Sequence, residues 1–169
     1  MTGACGSAIA DDAEFSVPLE QQPSGAFYIR GTLNATVETE LLVDTGSSYV
    51  VLSKATFKAL ESSESTLFKR TIHGATASGR TVKARVYEVA ALAIGDDCVL
   101  EAVEVVVLPG SKRDILGLSA LERVQPFTFD IRANSLRFSA CDADMTTDTI
   151  VAAGAPSTTS LVAGYGAPW

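Results

Sequence analysis

The run Leu41, Leu42, Val43, Asp44, Thr45, Gly46, Ser47, Ser48 constrains the fold of this chain more than any other stretch, because it drives an apolar strand into a carboxylate on a tight, hydroxyl-lined turn. An aspartate that follows three apolar residues ends a buried strand, and a glycine two positions on lets the backbone approach the carboxylate closely. Such a turn holds the carboxylate in one place with hydrogen-bond donors around it, which general acid or base work requires. Asp44 is therefore the candidate catalytic residue, with Thr45, Gly46 and Ser47 as its loop support. Val50, Val51 and Leu52 return the chain to an apolar strand.

A second element, Ile115, Leu116, Gly117 followed by Leu118, Ser119, Ala120, Leu121, Glu122, Arg123, is also two apolar residues and a glycine leading into a short helical stretch. With both elements present, residues 14–139 resemble the retropepsin-like aspartic proteases, the single-lobe kind found in retroviruses and as stand-alone bacterial proteins. The resemblance implies an all-β, single-lobe closed barrel or sandwich with a flap hairpin and one or two short helices. It implies an endopeptidase acting on a peptide or protein substrate without metal or organic cofactor, and Thr45 bracing the loop across a dimer axis. Leu42, Ile115, Leu116, Gly117 and Arg113 fall at positions that resemble the substrate pocket. Leu42 and Ile115 would serve equally as core residues, and Arg113 as a solvated loop charge.

The chain has 169 residues and 47% apolar content, enough for one domain with a real core. Only one Asp-Thr-Gly loop exists, since Asp114, Asp130 and Asp148 lack the small residues that should follow. The second carboxylate of a dyad then has to come from a second copy of Asp44, in a two-fold homodimer with its site on the axis. Two carboxylates about 3 Å apart cannot both ionise, so they share a proton and divide the roles of acid and base. A Ser47 hydroxyl donating to this pair would favour its charged form and predicts an acidic optimum. The alternative is a catalytically silent module that keeps the fold for binding or dimerisation. With a single histidine and no Gly-x-Ser-x-Gly run, no serine triad is available.

The net charge of −7 argues against nucleic acid or an anionic membrane as partner, because phosphate binding needs clustered Lys and Arg. The apolar run at residues 103–108 is too short to span a bilayer and carries Glu104, so no integral membrane segment is expected. Thr2, Gly3, Ala4 and Cys5 resemble the end of a lipoprotein signal without its apolar stretch. The compartment is cytoplasmic if the chain starts as given, and periplasmic or secreted if a signal preceded Met1. Cys5, Cys98 and Cys141 have no metal-ligand spacing and His73 has no neighbouring ligand; the odd count leaves at least one free thiol or an intermolecular pair, and the cysteines read as small apolar residues, with a disulfide such as Cys5 to Cys141 as the alternative.

Residues 1–13 read as an irregular lead-in, 14–141 as the domain and 142–169 as a low-complexity tail, either flexible or docked on a partner subunit or in the peptide groove. Within the domain, strands are expected at 14–19, 27–33, 36–43, 87–94, 98–108, 127–131 and 136–138, with turns at 34–35, 95–97 and 132–134. Ser53 is an N-cap for a helix from Lys54 to about Leu60, and a polar loop follows at 62–66. Residues 68–89 alternate on both sides of Ala77, Ser78, Gly79 and Arg80, the tip of a hairpin that matches the flap in position; the competing reading is an ordinary surface hairpin. Gly74 is a second possible turning point.

Overall fold

The computed structural model describes residues 15–61, 66–75, 79 and 81–142. In chain order the elements are β1 (Phe15–Pro18), β2 (Glu20–Gln21), β3 (Phe27–Leu33), β4 (Val37–Val43), β5 (Val50–Leu52), α1 (Lys54–Glu61), β6 (Thr66–Ala75), β7 (Thr81–Ile94), β8 (Cys98–Val107), β9 (Asp114–Leu116), α2 (Leu118–Leu121), β10 (Phe127–Asp130) and β11 (Ser135–Phe138). A 3₁₀ turn at Glu122–Val124 extends α2.

Strands β3, β4, β9, β5, β8 and β7 are hydrogen-bonded in that order, and pairing of β3 with β7 through Gly31 and Ile94 closes them into a six-strand barrel. Closure removes the exposed edges that an open sheet would leave. Two of the pairings are parallel, β4 with β9 and β5 with β8, while β9 and β5 meet antiparallel at Ile115 and Val51. β9 is thus wedged between the strand that enters the Asp44 loop and the strand that leaves it. A separate sheet in the order β1, β11, β10 supplies Val17, Leu136 and Phe138 to the same core.

The core is aliphatic. Ile29, Leu33, Leu41, Leu52, Leu60, Leu92, Leu100 and Leu116 are all less than 2% exposed, and burying each such side chain contributes about 1.5–3 kcal/mol. The alternation that predicted strands is visible in β8, where Cys98, Leu100, Val103 and Val105 point inward; Ala102, at positive φ, shifts the alternation by one residue. The β3–β4 turn sits at Asn34 and Ala35, both in the left-handed region, and β10 and β11 turn at residues 131–134. The expected strand at 87–94 is the second half of one 14-residue strand, β7, whose first half pairs with β6.

Ser53 caps α1 as expected. Its hydroxyl accepts from Thr56 N at 3.2 Å while its carbonyl accepts from Phe57 N at 3.0 Å. Phe57 and Leu60 on the inner face of α1 then reach the core.

Of the two readings of the cysteines, the disulfide is the one that the structure shows, between partners that the sequence left open. Cys98 and Cys141 form a disulfide with their Cα atoms 5.5 Å apart. The chain beyond β11 crosses the start of β8, where Asp142 accepts from Glu101 N at 3.2 Å and pairs with Arg123, so the cystine is one of three ties at that corner. A sequence separation of 43 residues carries no sign of that crossing. Cys5 and the proposed tail beyond residue 142 lie outside the described residues, as does the loop at 62–65.

Candidate active site

The Asp44 loop is built almost entirely from backbone hydrogen bonds between two distant segments. Asp44 N donates to Leu116 O at 3.1 Å, Ser47 N to Asp44 O at 3.1 Å, Leu118 N to Ser47 O at 2.8 Å and Ser119 N to Ser48 O at 3.1 Å. Ser119 Oγ accepts from Val50 N at 3.2 Å. These contacts explain why glycine occupies position 117: a Cβ there would lie 2.2 Å from Tyr49 O and 2.7 Å from Ser47 O, so any side chain would push the loop off its support. The two motifs of the sequence are therefore halves of one structure.

The Asp44 carboxylate is half-buried, and Oδ1 accepts from Gly46 N at 2.9 Å, the one donor it has among the described residues. Thr45 and Gly46 are exposed beside it. Ser47 behaves differently from expectation: its hydroxyl donates to Tyr49 O at 2.9 Å, so it braces the return of the loop and not the carboxylate. An acidic optimum derived from a Ser47 bond to the dyad loses its basis in this geometry.

Another carboxylate, set aside in the sequence as a catalytic candidate, has a structural role that the sequence reading did not assign. Asp114, which begins β9 and is 6% exposed, accepts from the Thr39 hydroxyl, from Ser53 N at 2.5 Å and from the Thr56 hydroxyl at 2.5 Å. It joins β4, the cap of α1 and β9 at one point. A signal was present: a charged residue opening a buried apolar strand needs partners, and three hydroxyl residues flank the elements it would touch.

Of the residues assigned to a pocket, Leu42 and Ile115 are half-buried and lie side by side in the parallel β4–β9 pairing. Arg113 is exposed and lines a cavity of about 560 Å³ with Tyr28, Thr39 and Thr56. Leu116 and Gly117 are fully enclosed, which puts them behind such a surface and not on it. The reason is the sandwiching of β9, which turns alternate residues into the barrel.

Gly79 has φ +77° and nothing near its missing Cβ, while Ala77, Ser78 and Arg80 lie outside the described residues. Below this hairpin, Ala84, Val86 and Val106 form a small apolar cluster against Tyr49, Ile72 and Leu108. Arg70 on β6 reaches across β7 to Glu104 with bonds of 2.5 and 2.7 Å. That pairing, with a smaller contribution from Tyr49, raises the guanidinium further above its ordinary range, and it holds the Glu104 carboxyl below the usual carboxylate range. Tyr49 therefore links the end of the Asp44 loop to the hairpin strands.

Among the described residues no group of three or more His, Cys, Asp or Glu side chains is arranged to hold a metal ion. None of the described helices is long and apolar enough to cross a membrane. The sequence matches the family described as "gag-polyprotein putative aspartyl protease" over residues 29–123, more than half the chain. The chain belongs to the retropepsin-like aspartic proteases. The family match takes in both the Asp44 loop and the Gly117 segment that supports it.

The fold is similar to the crystal structure of a retropepsin-like aspartic protease from Rickettsia conorii, with 26% identity, a TM-score of 0.53, and coverage of 73% of this chain and 89% of that one. A retroviral protease-like domain of Ddi1 from Leishmania major aligns at 20% identity and a TM-score of 0.45, over 70% of this chain and 95% of that one. No curated protein matches the sequence.

Proposed function

We propose that this retropepsin-like chain is an aspartic endopeptidase whose dyad is formed by Asp44 from each protomer of a two-fold homodimer. The observation that carries the reading is the Asp44 loop itself: a backbone-bonded turn whose sequence motif occurs once in the chain and whose carboxylate has a single donor among the described residues. A carboxylate with unused acceptor capacity can take a proton, and a second one related by symmetry can give one.

In the paired site the two carboxylates hold one proton between them, the established behaviour of aspartic proteases. The ionised member removes a proton from a bound water as that water attacks the peptide carbonyl. The protonated member donates to the carbonyl oxygen, where negative charge develops. Thr45, exposed beside Asp44, is free to bond the partner loop across the axis. The β6–β7 hairpin, which carries Gly79, closes over a bound peptide as a flap. Half-buried Leu42 and Ile115 favour apolar side chains at the cleaved bond, and Arg113 favours an acidic neighbour.

The test is incubation of the protein and its Asp44→Asn variant with a denatured protein substrate from acidic to neutral pH, with products read by mass spectrometry and mass by sedimentation. Cleavage by the parent that falls about 10²–10⁴-fold in the variant supports the dyad. A dimer that cleaves nothing at any pH overturns the enzyme reading in favour of a binding module.

A further inference from the structure

On the face of β7 turned away from Tyr49 lies a groove of about 810 Å³ between α1 and the strand. Its rim carries Lys54 and Lys58 from α1 and Lys83 and Arg85 from β7, against one acid, Glu61. Its floor is aromatic, Phe57 and Tyr87, with ring centroids 4.3 Å apart. The strand period explains the wall: positions 83, 85 and 87 share one face, while Ala84 and Val86 point to the opposite one.

What distinguishes the four cations is that they gather at one groove, since exposed Lys112, Arg113 and Arg132 also have no ion-pair partner among the described residues but lie elsewhere. Arg30, Lys69, Arg70, Arg123 and Arg137 are each paired with a carboxylate. Lys54, Lys58, Lys83 and Arg85 are all exposed and have no ion-pair partner among the described residues. A chain with net charge −7 that gathers four unpaired cations over an aromatic floor has concentrated attraction for one kind of ligand. We infer that this groove is a docking site for an acidic peptide segment of a partner protein, one in which carboxylates flank a large apolar side chain. The carboxylates meet the lysines and Arg85 at the rim, and the apolar side chain lies against Phe57 and Tyr87. Nucleic acid offers phosphates to the same cations, but it would meet the repulsion of the acidic remainder along its length.

The inference stands apart from the peptidase reading, because binding is measured on the Asp44→Asn protein. The probe is a fluorescein-labelled peptide in which Asp and Glu flank one Phe, titrated and read by fluorescence anisotropy. Saturable binding is expected to weaken about tenfold when Lys58→Glu and Arg85→Glu are combined, and to fall with added salt. Replacing the peptide's Phe by Ala should weaken it several-fold. Both substituted positions are exposed, and circular dichroism checks that the variant folds. Equal binding by the parent and the charge-reversed variant, or no binding to the parent, overturns the proposal. Tighter binding of a single-stranded oligonucleotide that is lost in the same variant overturns it in favour of nucleic acid.

Discussion

Asp44 and Asp114 stand at opposite ends of the parallel β4–β9 pairing, Asp44 just past the end of β4 and Asp114 at the start of β9 opposite Leu41, and the fold treats them in opposite ways. Asp114 is buried and receives three donors, from Thr39, Ser53 and Thr56. Asp44 is half open and receives one among the described residues, from Gly46. The carboxylate that its surroundings leave unfinished is the one proposed to react. The saturated one serves as a joint between strand, helix cap and strand, and its satisfaction holds the other in place, because β9 carries both Asp114 and the Leu116 carbonyl that anchors Asp44 N.

The largest test of that contrast is a pair of substitutions. Asp114→Ala strands two hydroxyls and a backbone N–H in a buried site and should cost about 3–5 kcal/mol, comparable to breaking a buried polar network. Asp44→Asn should leave stability within about 0.5 kcal/mol while abolishing any peptidase activity. Urea unfolding of both proteins measures the difference, and equal losses would dissolve the distinction. Thr56→Val, which removes one of the three donors and keeps the shape, should cost about 1 kcal/mol in the same assay.

Glu104 supplies the smallest effect. Its carboxyl is held below the ordinary range by Arg70, so the pair stabilises the fold above the pH at which a free glutamate titrates and loses that contribution as pH falls through the depressed value. Glu104→Gln should therefore be slightly less stable than the parent at neutral pH and indistinguishable from it in acid. Thermal melts at the two pH values read this, and a difference that grows in acid would reverse the assignment.

Much of this was legible in the sequence because it rests on local rules. Alternation marked the strands, Ser53 marked the start of α1, and the apolar approach to Asp44 with its glycine marked the loop. What was not legible depends on which distant segments meet. Ser47 reads as a donor to the carboxylate until Tyr49 O is found within its reach. Leu116 reads as a pocket residue until β9 is seen between two strands. Asp114 reads only as an aspartate without a catalytic turn until Thr39 is brought to it, and the cystine needs the crossing of the chain over β8.

The joint between Thr39 and Asp114 spans 75 residues of chain. During synthesis the Asp44 loop is made long before the strand that fixes it, and closure of so long a loop comes late in folding, after the local hairpins have formed. A partly made chain therefore carries Asp44 without the frame that holds its loop. Maturation of the site is coupled to completion of the barrel, and a chain that stalls before β9 is left without a competent carboxylate loop in the crowded surroundings where it was made.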